Sequence, residues 1–270
     1  MREGCAAVEI KFLINQMPIW LVVSLVVGLA VVYSVGLQLL FRRYVGVEAL
    51  SLNNEVAGFK FAVVGVSYAV LLAFVMVVVW EDFRGTEAAV RNEAKALIDL
   101  HEISFALPDE SSAQIRDQVF DYAEMVRAQE WDVMALGLES PEVEQALTRL
   151  TRQITDVEPV TLQDQSLYAR ALKLQTAIAD NRAERLDGSQ GTIPGALWLV
   201  LLVGGVITLS YTSFFASPST LAQILMTAGL AVTVALIFWV SLALNFPFSG
   251  QLRISSAPIE HAVKQMTKGQ

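Results

Sequence analysis

The chain has 270 residues, of which 54% are apolar and 17% are charged, and its mean hydropathy is positive. A single cysteine excludes an intramolecular disulfide framework. The formal net charge of −8 comes mainly from the middle of the chain and argues against nucleic acid as a partner. This composition indicates a membrane protein with an acidic soluble part.

Four windows contain no Asp, Glu, Lys or Arg: Pro18–Phe41, Phe61–Trp80, Ile193–Ser217 and Leu221–Gly250. Each holds at least about 20 mostly apolar residues, enough for a helix to cross the roughly 30 Å hydrocarbon layer. The first window is too long for the apolar core of a secretory signal. The predicted fold is therefore all-α, a polytopic membrane protein with four transmembrane helices in two pairs and a helical cytoplasmic domain between them.

The predicted boundaries follow these windows. They give an N-terminal tail over 1–17, a helix pair over 18–80, a soluble helical domain over 81–192, a second pair over 193–246 and a C-terminal tail over 247–270. An even number of crossings places both termini and the soluble domain on one face. Basic residues near the membrane on that face outnumber Arg42, Arg43 and Lys60 on the other. The positive-inside rule then predicts that this face is cytoplasmic.

Apolar residues of the middle domain recur at helical spacing. One stripe contains Val90, Ala94, Leu97 and His101, and a second contains Ile115, Val119, Tyr122 and Val126. Ser140-Pro141 predicts the start of a helix that carries Leu147, Leu150 and Ile154. A last helix is expected over Leu162–Leu186, followed by a hinge from Gly188 to Gly195. The acidic residues are spaced as solvated helix faces.

The residues that carry most enzyme chemistry are scarce. The two histidines, His101 and His261, are far apart in sequence, and Cys5 has no partner nearby. No phosphate-binding loop, nucleophile elbow or paired-carboxylate motif is present. His101 is interpreted as a packed core residue, and Cys5 as a free thiol in the tail. The chain is predicted not to be an enzyme and to bind no cofactor or metal.

The second crossing carries the clearest functional pattern. If the stretch from Ser51 is helical, Asn53, Lys60, Ser67 and Phe74 recur every seven residues and share one face. The predicted pore-lining set is Asn53, Lys60, Val64, Ser67, Leu71, Phe74 and Val78. A ring of such helices would form a polar vestibule, where Lys60 would favour anions, leading to an apolar constriction. In the alternative interpretation, Lys60 reaches the headgroups and Phe74 contacts lipid or another helix.

A second stripe of the same helix is made of small residues, which let helices approach closely in lipid. Its members are predicted to be helix-packing residues: Gly58, Ala62, Gly65, Ala69 and Ala73. Asn54 and Glu55 lie at the head of the helix and are interpreted as vestibule or helix-cap residues. For Glu55, contact with a neighbouring subunit is the alternative.

Several sequence segments resemble those of a family of prokaryotic membrane proteins called bestrophin-like. They are Asn54-Glu-Val-Ala-Gly-Phe59, the following Phe61-to-Phe74 segment, Val79-Trp80-Glu81, Ile193-Pro-Gly-Ala-Leu-Trp198, and Asn245-Phe-Pro-Phe-Ser-Gly250 leading to Pro258. Bestrophins proper are pentameric anion channels with four crossings and a cytosolic helical domain. The resemblance implies a pore lined by the second crossing, with Leu71 and Phe74 at its neck. Their calcium clasp has an acidic run where this chain reads Gln251-Leu-Arg-Ile-Ser, a departure that argues against calcium gating.

The leading hypothesis is a homo-oligomeric ion channel of the bacterial cytoplasmic membrane, anion-conducting, with the second transmembrane helix lining the pore. The expected partners are the lipid bilayer, small inorganic ions and further copies of the chain, with a pentamer implied by the resemblance. The alternative is a non-conducting membrane scaffold or signalling protein whose acidic helical domain binds a soluble partner.

Overall fold

A computed structural model describes residues 17–107 and 109–268. Within these ranges the regular structure is helical throughout, and no strand occurs, which confirms the all-α prediction. The α-helices are α1 Ile19–Tyr44, α2 Val47–Leu52, α3 Asn54–Ser104, α4 Asp109–Met125, α5 Trp131–Met134, α6 Pro141–Thr155, α7 Leu162–Gln190, α8 Gly195–Tyr211, α9 Thr220–Leu244 and α10 Ala257–Lys268. A π-helix, Val126–Glu130, precedes α5, and a 3-10 turn, Thr212–Phe214, follows α8.

The chain divides into two compact units. Among the described residues, the transmembrane unit comprises residues 17–81 and 192–245, and the soluble unit comprises residues 82–107, 109–191 and 246–268. Helix α3 contributes to both, because it continues without a break from Asn54 to Ser104. The predicted N-terminal tail lies outside the described residues, apart from Met17.

In the part of the chain that the structure describes, four helical segments are long and apolar enough to cross a membrane, which confirms the number of predicted crossings. They lie in α1, in the first part of α3, in α8 and in α9. The link between α8 and α9 is short, and the Ser219 hydroxyl caps α9 by accepting a 3.3 Å hydrogen bond from the Ala222 amide.

The helical structure is interrupted just before α3 begins. A shared face that includes Asn53 requires the stretch from Ser51 to be one continuous helix, but α2 ends at Leu52 and α3 begins at Asn54. The Asn53 carbonyl accepts a 2.8 Å hydrogen bond from the Ala57 amide, so Asn53 precedes the first turn of α3. The shared helical face therefore starts at Lys60 and excludes Asn53.

The predicted stripes of the soluble unit form its core. Leu97, Ile115, Val119, Leu150 and Ile154 are all fully buried. The Ser140 hydroxyl accepts a hydrogen bond from the Val143 amide and Pro141 occupies the first turn of α6, as predicted. A capping box formed by Thr161 and Asp164 starts α7.

The predicted hinge after α7 is shorter than the sequence suggested. Helix α7 extends to Gln190 and includes Gly188, whose backbone packs against the Thr86 side chain. The helix ends at Gly191, which has a positive φ of 87° that a residue without a Cβ adopts readily. Non-helical backbone is confined to the few residues before Gly195.

The predicted C-terminal tail is wrong as a description of residues 247–268. Phe248 and Ile259 are almost fully buried in the soluble core. The Trp131 indole donates a 3.1 Å hydrogen bond to the Ile254 carbonyl and packs edge-on against Phe248 at 5.9 Å between ring centroids. The segment folds because α10 is amphipathic and buries Met266 on the same face as Ile259.

Candidate functional site

Within the transmembrane unit, α3 buries only one narrow strip. Ala57, Tyr68, Leu72, Val75 and Val79 each expose 7% or less of their surface. These residues cluster on one side of the helix, since successive residues are rotated by about 100°. The remaining circumference of this segment is mostly exposed in the single chain. A helix with so much free apolar surface is suited to contacts with lipid, with another chain or with a pore.

The predicted pore-lining residues from Lys60 onward flank this buried strip on one side. Lys60 and Ser67 are exposed, and Phe74 and Val78 expose 69% and 45% of their surface. Val64 and Leu71 are half-buried and lie closer to the strip. The Ser67 hydroxyl donates a 2.8 Å hydrogen bond to the Val63 carbonyl one turn earlier. The face is thus polar at Lys60 and apolar from Leu71 onward, in the order that the sequence indicated.

The residues at the head of α3 have distinct positions. The Asn54 amide donates a 2.8 Å hydrogen bond to the Ala216 carbonyl and accepts a 3.1 Å bond from the Ala216 amide. This reciprocal pair ties the start of α3 to the link before α9, a contact that sequence reasoning missed. Glu55 lies in the first turn and is exposed, where a negative charge favours the helix N-terminus. The Asn53 side chain is exposed and bonds back to Ala49.

The small-residue stripe flanks the buried strip on the other side. Ala62, Ala69 and Ala73 are exposed, whereas Gly58 and Gly65 are half-buried. Most of the stripe lines a groove of about 730 Å³ between α3 and α9. The groove is almost entirely apolar, and its α9 wall includes Thr233, Val234, Ile237 and Val240. Tyr68, which also lines this groove, makes a close contact with α8.

Tyr68 packs against two consecutive glycines of α8. A Cβ atom at Gly204 would lie 2.8 Å from the Tyr68 ring, and one at Gly205 would lie 2.8 Å from the phenol oxygen. The phenol donates a 3.1 Å hydrogen bond to the Leu201 carbonyl. Two missing side chains therefore let the ring reach the α8 backbone, as small residues do in membrane helix packing.

The soluble unit contains a buried ion cluster that joins four helical segments, α3, α4, the π-helix and α7. Arg185 of α7 donates to both Glu93 oxygens at 2.7 and 3.1 Å and to Glu130 at 2.6 Å. Arg182, one turn earlier, donates to Glu130 at 2.8 and 3.1 Å. The Tyr122 hydroxyl donates to Glu93 at 2.7 Å. Each of the five residues exposes 3% or less of its surface, and the four charges sum to zero.

The charges of this cluster stabilise one another. Burial alone lowers the pKa of the Arg185 guanidinium, but the Glu93 and Glu130 carboxylates outweigh burial and raise it above the ordinary arginine value. Burial, together with the Glu93 charge, raises the pKa of Tyr122 well above its usual value. Arg182 also bonds to the partly exposed Glu144 at the edge of the cluster. The raised pKa values mean that Arg185 stays charged and Tyr122 stays neutral across the physiological pH range.

The prediction that acidic residues of this domain lie on solvated faces is wrong for Glu93 and Glu130. Glu93 lies beside the apolar stripe of α3, and Glu130 is the last residue of the π-helix. The extra residue per turn of a π-helix rotates the following side chains, which regular helical spacing does not predict. The available sequence signal was the pair Arg182 and Arg185, three residues apart, which share a helix face.

His101 is buried, as predicted, with 3% of its surface exposed. Its Nε2 atom has no hydrogen-bond partner among the described residues, and its ring packs edge-on against Phe105 at 5.4 Å. Burial lowers the pKa of His101, the positive charge of Arg116 lowers it further, and Glu102 partly opposes the shift. Within residues 17–107 and 109–268, no cluster of His, Cys, Asp and Glu suited to a metal ion occurs.

Comparison with known proteins identifies the family. The sequence matches the Bestrophin-like domain over residues 28–259, which is most of the chain. The chain belongs to the Bestrophin-like family. No curated protein matches it at a significant level.

Solved structures support the same fold. A bacterial bestrophin homologue from Klebsiella pneumoniae with an isoleucine-to-threonine substitution is similar, with a TM-score of 0.69 and 14% identity over 91% of this chain and 98% of that one. A leucine-to-threonine variant gives a TM-score of 0.68 and 13% identity over 90% and 99%. A structure described as a membrane protein with a glycine-to-alanine substitution gives 0.70 and 14% over 90% and 98%. The chain therefore shares the fold of bestrophin homologues along nearly its full length.

Proposed function

We propose that this chain is a homo-oligomeric ion channel of the bacterial cytoplasmic membrane, with its soluble unit in the cytoplasm. Several copies of α3 line the pore through the face that contains Lys60, Ser67, Leu71 and Phe74. The observation that carries the proposal is the exposure of this face in a helix that packs on one side only. Membership of the Bestrophin-like family supports an ion channel at the level of the family.

The proposed constriction is the apolar end of the face. Phe74 exposes 69% of its surface to the space beside the single chain, so no described residue covers its ring. In a ring of subunits, aromatic side chains at this level narrow the pore and disfavour water within it. Replacement by alanine removes the ring from each subunit and widens the passage by several ångström.

Anion preference follows from Lys60. It is exposed on the proposed pore face and carries the only charge on that face between the head of α3 and Trp80. A ring of ammonium groups at a pore entrance raises the local concentration of anions. The resemblance to bestrophins agrees with this preference, and a pentamer is the assembly proposed on the same basis.

The first experiment is planar-bilayer recording of the purified, reconstituted protein. Phe74→Ala is expected to raise single-channel conductance relative to the wild type. Phe59→Ala is the matched control, because Phe59 is 76% exposed and lies about 100° around the helix from Lys60. Equal conductance in both variants would refute the assignment of the pore face. Silent bilayers that contain verified oligomer would refute conduction itself.

The second experiment measures the reversal potential in a gradient of potassium chloride. The sign for the wild type is expected to indicate chloride preference, and Lys60→Gln is expected to reduce it. Arg43→Gln makes the same charge change at an exposed position in the last turn of α1 and is expected to leave the reversal potential unchanged. A cation-selective wild type, or equal shifts in both variants, would contradict the role of Lys60.

A further inference from the structure

A buried polar layer lies at one end of the transmembrane unit, the end that carries the α1–α3 and α8–α9 links. On α1, Ser34, Gln38 and Arg42 recur every four residues and share one face. Arg42 donates a 2.8 Å hydrogen bond to Gln223 of α9. Since α1 and α9 run in opposite directions, Gln38 lies level with Thr227, one turn along α9.

A third element closes this layer. The Tyr33 hydroxyl lies 2.8 Å from the Ser210 hydroxyl, and the Phe41 and Phe214 rings pack edge-on at 5.4 Å. On α1, Gln38 lies between Tyr33 and Phe41. On the segment that follows α8, the 3-10 turn comes directly after Ser210 and Tyr211 and includes Phe214. Gln38 is therefore level with the Thr212–Phe214 turn and is enclosed by three segments of the transmembrane unit.

The enclosed polar atoms are unsatisfied. Gln38 exposes 2% of its surface and Ser213 exposes 1%. Among the described residues, neither the two amide atoms of Gln38 nor the Ser213 hydroxyl has a hydrogen-bond partner. An unpaired amide or hydroxyl away from water costs several kcal/mol in hydrocarbon, so such atoms in a membrane protein are expected to have a partner.

A positive charge lies beside this layer on α1. Arg42 lies one helical turn from Gln38 and is partly buried. It donates to Ser217, Gln223 and Pro218, all neutral oxygens, and within the described chain it forms no ion pair. A guanidinium has five N–H donors, so these three bonds leave donors available. The carboxylates at this end, Glu48 and Glu55, are exposed to solvent.

We infer that this layer binds a small inorganic anion of halide size, outside the pore. The Gln38 amide nitrogen and the Ser213 hydroxyl supply two hydrogen-bond donors, and Arg42 supplies the positive charge. A halide bound there replaces the missing counter-charge of Arg42 and satisfies donors that are otherwise unpaired. The site requires no ion flow, so its occupancy is measured on the detergent-solubilised protein independently of conduction.

The experiment uses bromide as the probe. Crystals of the full chain grown in sodium bromide are expected to show an anomalous peak between Gln38, Ser213 and Arg42. The melting temperature in detergent is expected to rise with bromide relative to sodium gluconate. Loss of one hydrogen bond to the ion in Gln38→Leu should raise the bromide concentration at half-effect roughly tenfold. Ser213→Ala serves the same purpose if Gln38→Leu does not fold.

The control is Ser24→Ala, which removes an exposed hydroxyl from α1 and should keep the bromide dependence of the wild type. Three results would overturn the inference. The first is the absence of an anomalous peak at this position. The second is that the site holds a direct Gln38–Ser213 hydrogen bond, or a water molecule that bromide does not replace. The third is that both site variants keep the bromide dependence of the wild type.

Discussion

The buried ion cluster of the soluble unit gives the sharpest test of the structure. Arg185→Met removes the guanidinium that bridges Glu93 and Glu130 while keeping most of the side-chain length. Glu130 keeps Arg182 as a partner, but Glu93 keeps only the Tyr122 hydroxyl. A carboxylate with 0% exposure is then left without a counter-charge.

The expected cost follows from this geometry. Removing one partner of a fully buried ion pair typically costs about 3–5 kcal/mol, because the other charge stays desolvated. For a chain of this size such a loss lowers the melting temperature by roughly 6–20 °C. Glu93→Leu should cost a similar amount, since it leaves the Arg185 charge with Glu130 alone. The double variant should lose about 2 kcal/mol less unfolding free energy than the sum of the two single losses.

The assay is thermal unfolding of the full chain in detergent, followed by circular dichroism. Arg91→Met is the matched control, because Arg91 pairs with Glu87 at 3.2 Å while the two side chains are 57% and 43% exposed. An exposed pair of this kind contributes about 0–1 kcal/mol. If Arg185→Met lowers the melting temperature no more than Arg91→Met, the cluster is not the buried anchor that its geometry indicates.

Two further predictions concern the soluble unit. Gly188→Ala should destabilise it by about 1–3 kcal/mol, because the new methyl group would lie 2.9 Å from Thr86 Cγ2 and 3.1 Å from its Cβ. Gly85→Ala, where the added Cβ would lie at an ordinary contact distance of 3.6 Å from the Glu184 carboxylate, should be neutral or stabilising in the same melting assay. Because the pKa of His101 is lowered, the unfolded chain takes up its proton more readily, and the folded state loses stability as the pH falls below the ordinary histidine value. His101→Phe should reduce this loss of stability between pH 7 and 5. His261→Gln, at an exposed position, should leave it unchanged. Equal pH dependence of the melting temperature in the wild type and both variants would contradict the role of His101.

Much of this fold could be predicted from the sequence because its signals are local. A window without charge specifies a membrane helix by length alone, and the stripes through Leu97 and Ile115 specify which faces are buried. The Ser140-Pro141 cap was predictable for the same reason. The packing of residues 247–268 was not predictable, because α10 is short and Trp131, which contacts Phe248 and Ile254 of this segment, lies more than a hundred residues away. Polar composition near a chain end favours a tail unless that distant partner is known.

The ion cluster was missed for a different reason. Glu93 and Glu130 look like any other acidic residues in a soluble helical domain, and only the fold places both against Arg185. The π-helix adds a local irregularity that shifts Glu130 away from the face that regular spacing assigns to it. Sequence spacing could relate Arg182 to Arg185, but it could not supply the carboxylates that neutralise them.

The two parts of α3 show why its pore face is a proposal that needs several chains. In the soluble unit the helix is fixed by complete burial of Val90 and Leu97 and by the Glu93 ion pair. In the transmembrane unit the same helix is held along one strip around Tyr68 and exposes both flanks. One flank is small and apolar throughout, whereas the other changes from Lys60 to Phe74. Small residues favour close helix contact, and a polar-to-apolar gradient favours a water-filled entrance, so the two flanks are suited to a neighbouring subunit and to a pore, respectively.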